Sequence, residues 1–253
     1  LKIWNSTHWL DYTYYWGPGA DYGYICGGWD GSIEISIIDR IVFPFDTGTA
    51  SNVGKLSGSK QTIAANNSSI HGYICGGWDG TNVLSTIDRL SFPFDSGTAT
   101  HVGNLSGSRR QPGGNNSSIH GYVMGGLPEL IEALSTIDRF SFPFNSGTAT
   151  HVGNLSISRW ETHSTTTNSS THGYVSTAYN GGYLPIIERF IFPFDSGTAT
   201  HVGNLSGSRY EVGANNSSTH NYVCGGYDAV NRFSIIDRFT FPFDSGTATH
   251  VGN

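Results

Sequence analysis

Charge is scarce in this chain: only 13% of its 253 residues are Asp, Glu, Lys or Arg, about half the usual share in soluble domains. The 13 basic residues are outnumbered by 19 acidic ones, for a formal charge of -6. Such a surface repels phosphate backbones, so nucleic acid is not an expected partner. Methionine occurs once and no run of 18 apolar residues exists, so no membrane-spanning helix and no membrane insertion are expected. Catalytic signatures are also missing. There is no Gly-x-Ser-x-Gly elbow, no phosphate loop and no His-Glu-x-x-His, so neither an enzyme nor a cofactor is expected.

What the chain does have is repetition. Phe-Pro-Phe occurs five times, with its proline at Pro44, Pro93, Pro143, Pro193 and Pro242, in steps of 49, 50, 50 and 49 residues. A period near 50 marks a propeller or solenoid. The 34 glycines and the frequent Ser, Thr and Asn suit short strands joined by tight turns better than helices. The units fall at about 1–55, 56–104, 105–154, 155–204 and 205–253, together forming one domain. The residues after Leu1 do not read as a charged-then-apolar signal segment, so none is expected there. The close at Asn253, in the His-Val-Gly-Asn phrase that ends other units, is expected of a mature or excised piece cut at a unit boundary.

Unit two shows the plan of each unit. A segment through Ala64 and Ala65 leads to the polar turn Asn66-Asn-Ser-Ser69, then to the apolar strand His71-Gly-Tyr-Ile-Cys-Gly-Gly77. A loop, Trp78-Asp-Gly-Thr-Asn82, precedes the strand Ser85–Phe94; the turn Asp95-Ser-Gly97 opens a last strand through Asn104. Four short strands, A to D, are therefore expected per unit. The phenylalanines at i and i+2 are expected on one strand face, and as ten of the 14 in the chain they should supply much of the packing between sheets. Closing the array into a ring avoids exposed terminal faces that would need caps. The expected fold is all-β, a five-bladed β-propeller of four-stranded antiparallel blades. Unit one diverges, with Trp4, Trp9, Tyr12, Tyr14, Tyr15 and Trp16 in place of the usual polar text.

The layout resembles the kelch repeat: an apolar strand ending in Gly-Gly (Tyr73–Gly77), an acidic-aromatic strand (Ile87-Asp-Arg89 with Phe92-Pro-Phe-Asp95) and a later basic residue, Arg109. Unit four departs from it, with Thr177 and Ala178 for the glycine pair, and the tryptophan typical after the third kelch strand is absent. The phrases Thr171-His-Gly-Tyr174, Ile137-Asp-Arg-Phe140 and Thr198–Leu205 also resemble repeat proteins of marine bacteriophages, especially cyanophages. That second resemblance implies a virion or tail-associated, or otherwise extracellular, location. It also implies a structural or attachment role, with a host-surface glycan or protein, or other virion proteins, as partners, and a possible higher-order assembly; a stand-alone sugar-binding lectin is the alternative reading, ahead of a propeller enzyme.

Several recurrent residues invite a chemical role. Eight of the ten histidines lie at two repeat positions, His71, His120, His172 and His220, and His101, His151, His201 and His250. Copies in different blades sit too far apart to share one ion, so hydrogen bonding is the expected role and no metal site is assigned. The pairs Asp39-Arg40, Asp88-Arg89, Asp138-Arg139, Glu188-Arg189 and Asp237-Arg238 point to opposite strand faces. Each is expected to meet a partner elsewhere, with Lys60, Arg109, Arg159 and Arg209 as candidates. The three cysteines, Cys26, Cys75 and Cys224, share a repeat position with Met124 and Ser176, which reads as a buried small-residue slot. Glycan acceptor sequences place candidate sites at Asn5, Asn67, Asn104, Asn116, Asn154, Asn168, Asn204 and Asn216 if the protein is eukaryotic; otherwise they are turn chemistry.

Comparing the units with one another is more informative. The A–B and C–D turns scarcely vary, whereas the B–C and D–A connections vary strongly and are rich in aromatics. In a four-stranded blade these two sets emerge on opposite faces. The variable face is therefore the expected contact surface, with Trp29, Asp30, Trp78, Asp79, Trp160, Tyr179, Tyr210, Tyr227 and Asp228 as candidate ligand-binding residues. Exposed aromatics beside Asp and Asn suit sugar stacking or protein contact.

Overall fold

The computed structural model describes residues 2–4, 9–11, 13–16, 22–129, 132–160, 162 and 166–253, with side chains from residue 22 onward except that of residue 178. The unit-one aromatic side chains from Trp4 to Trp16, and Asn5, lie outside the described residues.

The described residues form strands and no helix, and five four-stranded antiparallel sheets make a five-bladed β-propeller. A short ribbon of β1 (Lys2–Trp4) and β2 (Trp9–Asp11) precedes them. Blade one is β3 (Thr13–Trp16), β4 (Tyr22–Trp29), β5 (Glu34–Val42) and β6 (Ser51–Lys55). Blade two is β7 (Ala64–Asn67), β8 (His71–Cys75), β9 (Thr86–Ser91) and β10 (Thr100–Asn104). Blade three is β11 (Gly113–Asn116), β12 (His120–Met124), β13 (Thr136–Ser141) and β14 (Thr150–Asn154). Blade four is β15 (Thr166–Asn168), β16 (His172–Tyr179), β17 (Tyr183–Ile191) and β18 (Thr200–Asn204). Blade five is β19 (Gly213–Asn216), β20 (His220–Cys224), β21 (Ile236–Thr240) and β22 (Thr249–Gly252). Each blade is a simple meander. The first strands of successive blades, from β3 to β19, neighbour one another, which makes them the innermost layer.

The core lies between blades, and one constellation builds it four times. A tyrosine of the second strand stacks on the first phenylalanine of the next blade's Phe-Pro-Phe: Tyr24 on Phe92, Tyr73 on Phe142, Tyr122 on Phe192 and Tyr174 on Phe241, at 5.0–5.3 Å between ring centres. Its hydroxyl accepts the N–H of the second phenylalanine, at 2.9–3.1 Å, for Phe94, Phe144, Phe194 and Phe243. The arginine of the third strand reaches the acidic or amide residue after the motif, pairing Arg40 with Asp95, Arg89 with Asn145, Arg139 with Asp195 and Arg189 with Asp244. The end of the fourth strand adds backbone bonds, as where Asn104 receives the N–H of Ala149 at 2.8 Å and donates its own to Gly147 at 2.9 Å. That approach requires glycine: at Gly103 (φ 155°) a Cβ would collide with the carbonyl oxygen of Gly147.

Two placements differ from the sequence reading. Asn66 is not in a turn but in β7, fully buried, where its Nδ2 donates to the carbonyls of Asn115 (2.6 Å) and Tyr122 (3.0 Å) of the next blade. The turn starts only at Ser68, whose N–H donates to His71 O at 2.9 Å. Phe-Pro-Phe likewise does not lie on a strand face: β9 ends at Ser91, and Phe92, Pro93 and Phe94 follow in a bend with a cis Phe92–Pro93 bond. The reason is that proline has no N–H for the ladder, while the N–H groups of Phe92 and Phe94 are spent on Ile70 O and Tyr24 Oη. The expected role in packing between sheets does hold.

Candidate binding face

The base of the variable face is a row of buried ion pairs. Lys60 meets Asp88 at 3.1 Å, Arg109 meets Asp138 at 3.0 Å, Arg159 meets Glu188, and Arg209 meets Asp237 at 2.9 Å, all essentially shut off from solvent. These are the basic residues expected to partner the Asp-Arg pairs. Each carboxylate also accepts from the serine that ends the previous blade; Asp138, for example, takes the N–H (2.8 Å) and Oγ–H (2.7 Å) of Ser106. Burial pulls the Arg109 and Arg159 guanidiniums below their ordinary pKa, and the partner carboxylates oppose that shift. The D–A connection is thereby locked from beneath, so its next residue is held in a set position.

Those next residues carry the site. Gln61, Arg110, Trp160 and Tyr210, each directly after the buried cation, pair with the first or second residue of a B–C connection: Gln61 with Trp78, Arg110 with Leu127, Trp160 with Tyr179 and Tyr210 with Tyr227. The two variable connections thus form one layer. In unit four Thr177 keeps the left-handed φ of the glycine it replaces (62°, against 66° at Gly76) and donates its hydroxyl to Arg209 O. β16 and β17 run on as a long hairpin to Tyr179 and Tyr183, as β4 and β5 do in blade one with its glycine pair intact, whereas β8 stops at Cys75.

An aromatic ladder results across blades four and five. Trp160 meets Tyr179 edge-on at 5.3 Å; Tyr179 meets Tyr210 at 5.9 Å; Tyr210 stacks on Tyr183 at 5.0 Å and 20°, and meets Tyr227 at 5.6 Å. Beside it opens a cleft of about 620 Å³ lined by Arg110, Leu127, Glu129, Glu132, Ala133, Ser158, Trp160, Tyr179, Asn180 and Gly181. Trp78 borders this region indirectly, with the Arg110 guanidinium 5.4 Å above its ring.

Of the nine candidate residues, the structure brings Trp160, Tyr179, Tyr210 and Tyr227 together and keeps Trp78 next to them. Trp29 and Asp30 belong to blade one and do not line the cleft. Asp30, Asp79 and Asp228 build their own loops, each Oδ1 accepting the N–H of the residues two and three further on. These bonds hold all three carboxyls below the usual aspartate range. Sequence reasoning missed Tyr183, Arg110, Glu129 and Glu132. Arg110, Glu129 and Glu132 stand in the variable connections and Tyr183 opens β17, so the signal was present for three of them, but loop membership alone does not say which residues converge.

The other recurrent residues have scaffold positions. His71, His120 and His172 lie against Tyr73, Tyr122 and Tyr174 at 6.1–6.2 Å between ring centres. Burial and then the nearby arginine hold their pKa below the ordinary histidine value. No three His, Cys, Asp or Glu converge as a metal site among the described residues. Burial pushes the Cys26 thiol up to about 12 and the Cys75 thiol higher still, and the cysteines are free. Of the acceptor asparagines, Asn67, Asn116, Asn168 and Asn216 end first strands, while Asn104, Asn154 and Asn204 end fourth strands. No protein-family model and no curated protein matches this chain.

Proposed function

We propose that the chain is a non-catalytic attachment module, carried on a virion or otherwise outside the cell, that binds a surface glycan through the B–C/D–A face. The supporting observation is the cleft beside the Trp160–Tyr179–Tyr210–Tyr227 ladder. Half-buried rings offer flat apolar faces to the C–H side of a sugar. Arg110, Glu129, Glu132 and Asn180 line the same cleft and supply donors and acceptors for hydroxyls. The attachment context rests on the likeness of the repeat phrases to phage proteins.

A glycan array probed with the wild-type chain and with Trp160→Ala/Tyr179→Ala tests this reading. The wild type binds a restricted set of glycans, and the double variant, with its thermal unfolding midpoint little changed, binds them at least about tenfold more weakly. Equal binding by the two proteins removes this cleft as the site.

A further inference from the structure

The seam between blades four and five is built from different polar residues than the two seams before it. At those two, a first-strand asparagine crosses to the next blade: Asn66 donates to Tyr122 O at 3.0 Å and Asn115 to Tyr174 O at 3.1 Å. Each also lies against a second-strand residue of its own blade, Cys75 at 3.8 Å or Met124 at 3.9 Å. Across the seam from Asn115 stands a glycine: a Cβ on Gly173 would lie 2.9 Å from Asn115 Nδ2 and 2.5 Å from Phe190 Cζ. Between blades four and five the asparagine has changed sides. Thr167 faces Tyr174 as Asn115 faces Tyr122, Ser176 holds the slot of Cys75 and Met124, and Asn221 faces Asn216 as Gly173 faces Asn168. The register therefore brings Thr167, Ser176 and Asn221 to one place in the seam. Phe239, opposite Asn221, sits 4.8 Å from Phe243, where Phe140 and Phe190 keep 5.2 Å from Phe144 and Phe194.

Thr167, Ser176 and Asn221 are 4%, 0% and 0% exposed. Thr167 Oγ1, Ser176 Oγ and both Oδ1 and Nδ2 of Asn221 have no hydrogen-bond partner among the described residues. Buried polar atoms are paired as a rule, and each one left unpaired costs stability. We infer that this seam is a binding site for an internal water molecule, held by Asn221 and the hydroxyls of Thr167 and Ser176. Asn221 offers a donor and an acceptor, and each hydroxyl can act as either. Water complements both kinds of group at once. A metal cation would suit the oxygens and oppose the Nδ2–H groups, and an anion would oppose Oδ1. Three polar side chains also match the usual number of bonds to an internal water. The inference is independent of the glycan-binding reading, since none of the three residues lines the cleft.

The double variant Thr167→Asn/Asn221→Gly, which restores the arrangement of the preceding seam, tests the inference together with the wild type. Relaxation dispersion of the water oxygen counts long-lived internal waters, and the double variant holds one fewer than the wild type. In the wild type, the Asn221 side-chain amide protons cross-relax with a long-lived water. Urea unfolding supplies a second readout. Thr167→Asn alone crowds Asn221, and Asn221→Gly alone leaves a void beside two hydroxyls, so each lowers the midpoint, while the double variant recovers it. Circular dichroism checks that each variant is folded. An equal water count in the wild type and the double variant overturns the inference. So does an Asn221 amide that meets no long-lived water, or a double variant no more stable than the weaker single one.

Discussion

Replacing Arg109 with Met lowers the free energy of unfolding by about 3–5 kcal/mol, the usual cost of removing one partner from a buried ion pair. Arg109 and Asp138 are 1% and 0% exposed and meet at 3.0 Å. Without the guanidinium, Asp138 keeps only its two bonds from Ser106 and holds an uncompensated charge away from water. The substituted methionine fills much of the volume but brings no charge. Urea denaturation of the two proteins measures the difference. A loss below about 1 kcal/mol would mean that water reaches the pair, as in exposed salt bridges. The same site positions Arg110 against Leu127, so the variant also loosens one wall of the cleft.

Phe144→Ala costs about 3–5 kcal/mol, whereas Phe45→Ala changes stability by only about 0.5 kcal/mol. The two residues occupy one repeat position and differ only in whether a neighbouring blade covers them. Phe144 lies among Tyr73, Phe140 and Ala149 in the core between blades two and three, with its ring centre 5.2 Å from that of Phe140. Removing the ring leaves a cavity that the flanking sheets cannot close without giving up the bond from Phe144 N–H to Tyr73 Oη. Phe45 is 44% exposed, against 9% for Phe144. Chemical denaturation in dilute solution measures both variants, and similar losses in the two would show that blade five covers Phe45 after all.

The propeller was readable from the chain because a period of 49–50 residues and alternating apolar strands are local signals. Strand limits were less readable where a side chain serves the next blade. Asn66 looks like turn text, yet its buried amide holds the carbonyls of residues 49 and 56 positions away. Phe-Pro-Phe looks like a strand pair, but its N–H groups find partners outside the ladder. The acid–base partners followed from strand geometry, which forbids adjacent residues from pairing. The candidate site was legible as a face and not as a site. Variation among units singled out the B–C and D–A connections, while the grouping of Trp160, Tyr179, Tyr183 and Tyr210 depends on the long hairpin of blade four.

Residue-resolved amide hydrogen exchange on the chain in dilute solution examines the repeated junction most directly. Ala99, Ala149, Ala199 and Ala248 each donate an N–H to the preceding blade, at 2.8 Å, and their exchange is slow because opening them requires two sheets to separate. Ala50, at the same repeat position, donates to no preceding blade among the described residues and exchanges fast. Equal protection at Ala50, or fast exchange at the other four, would contradict the account.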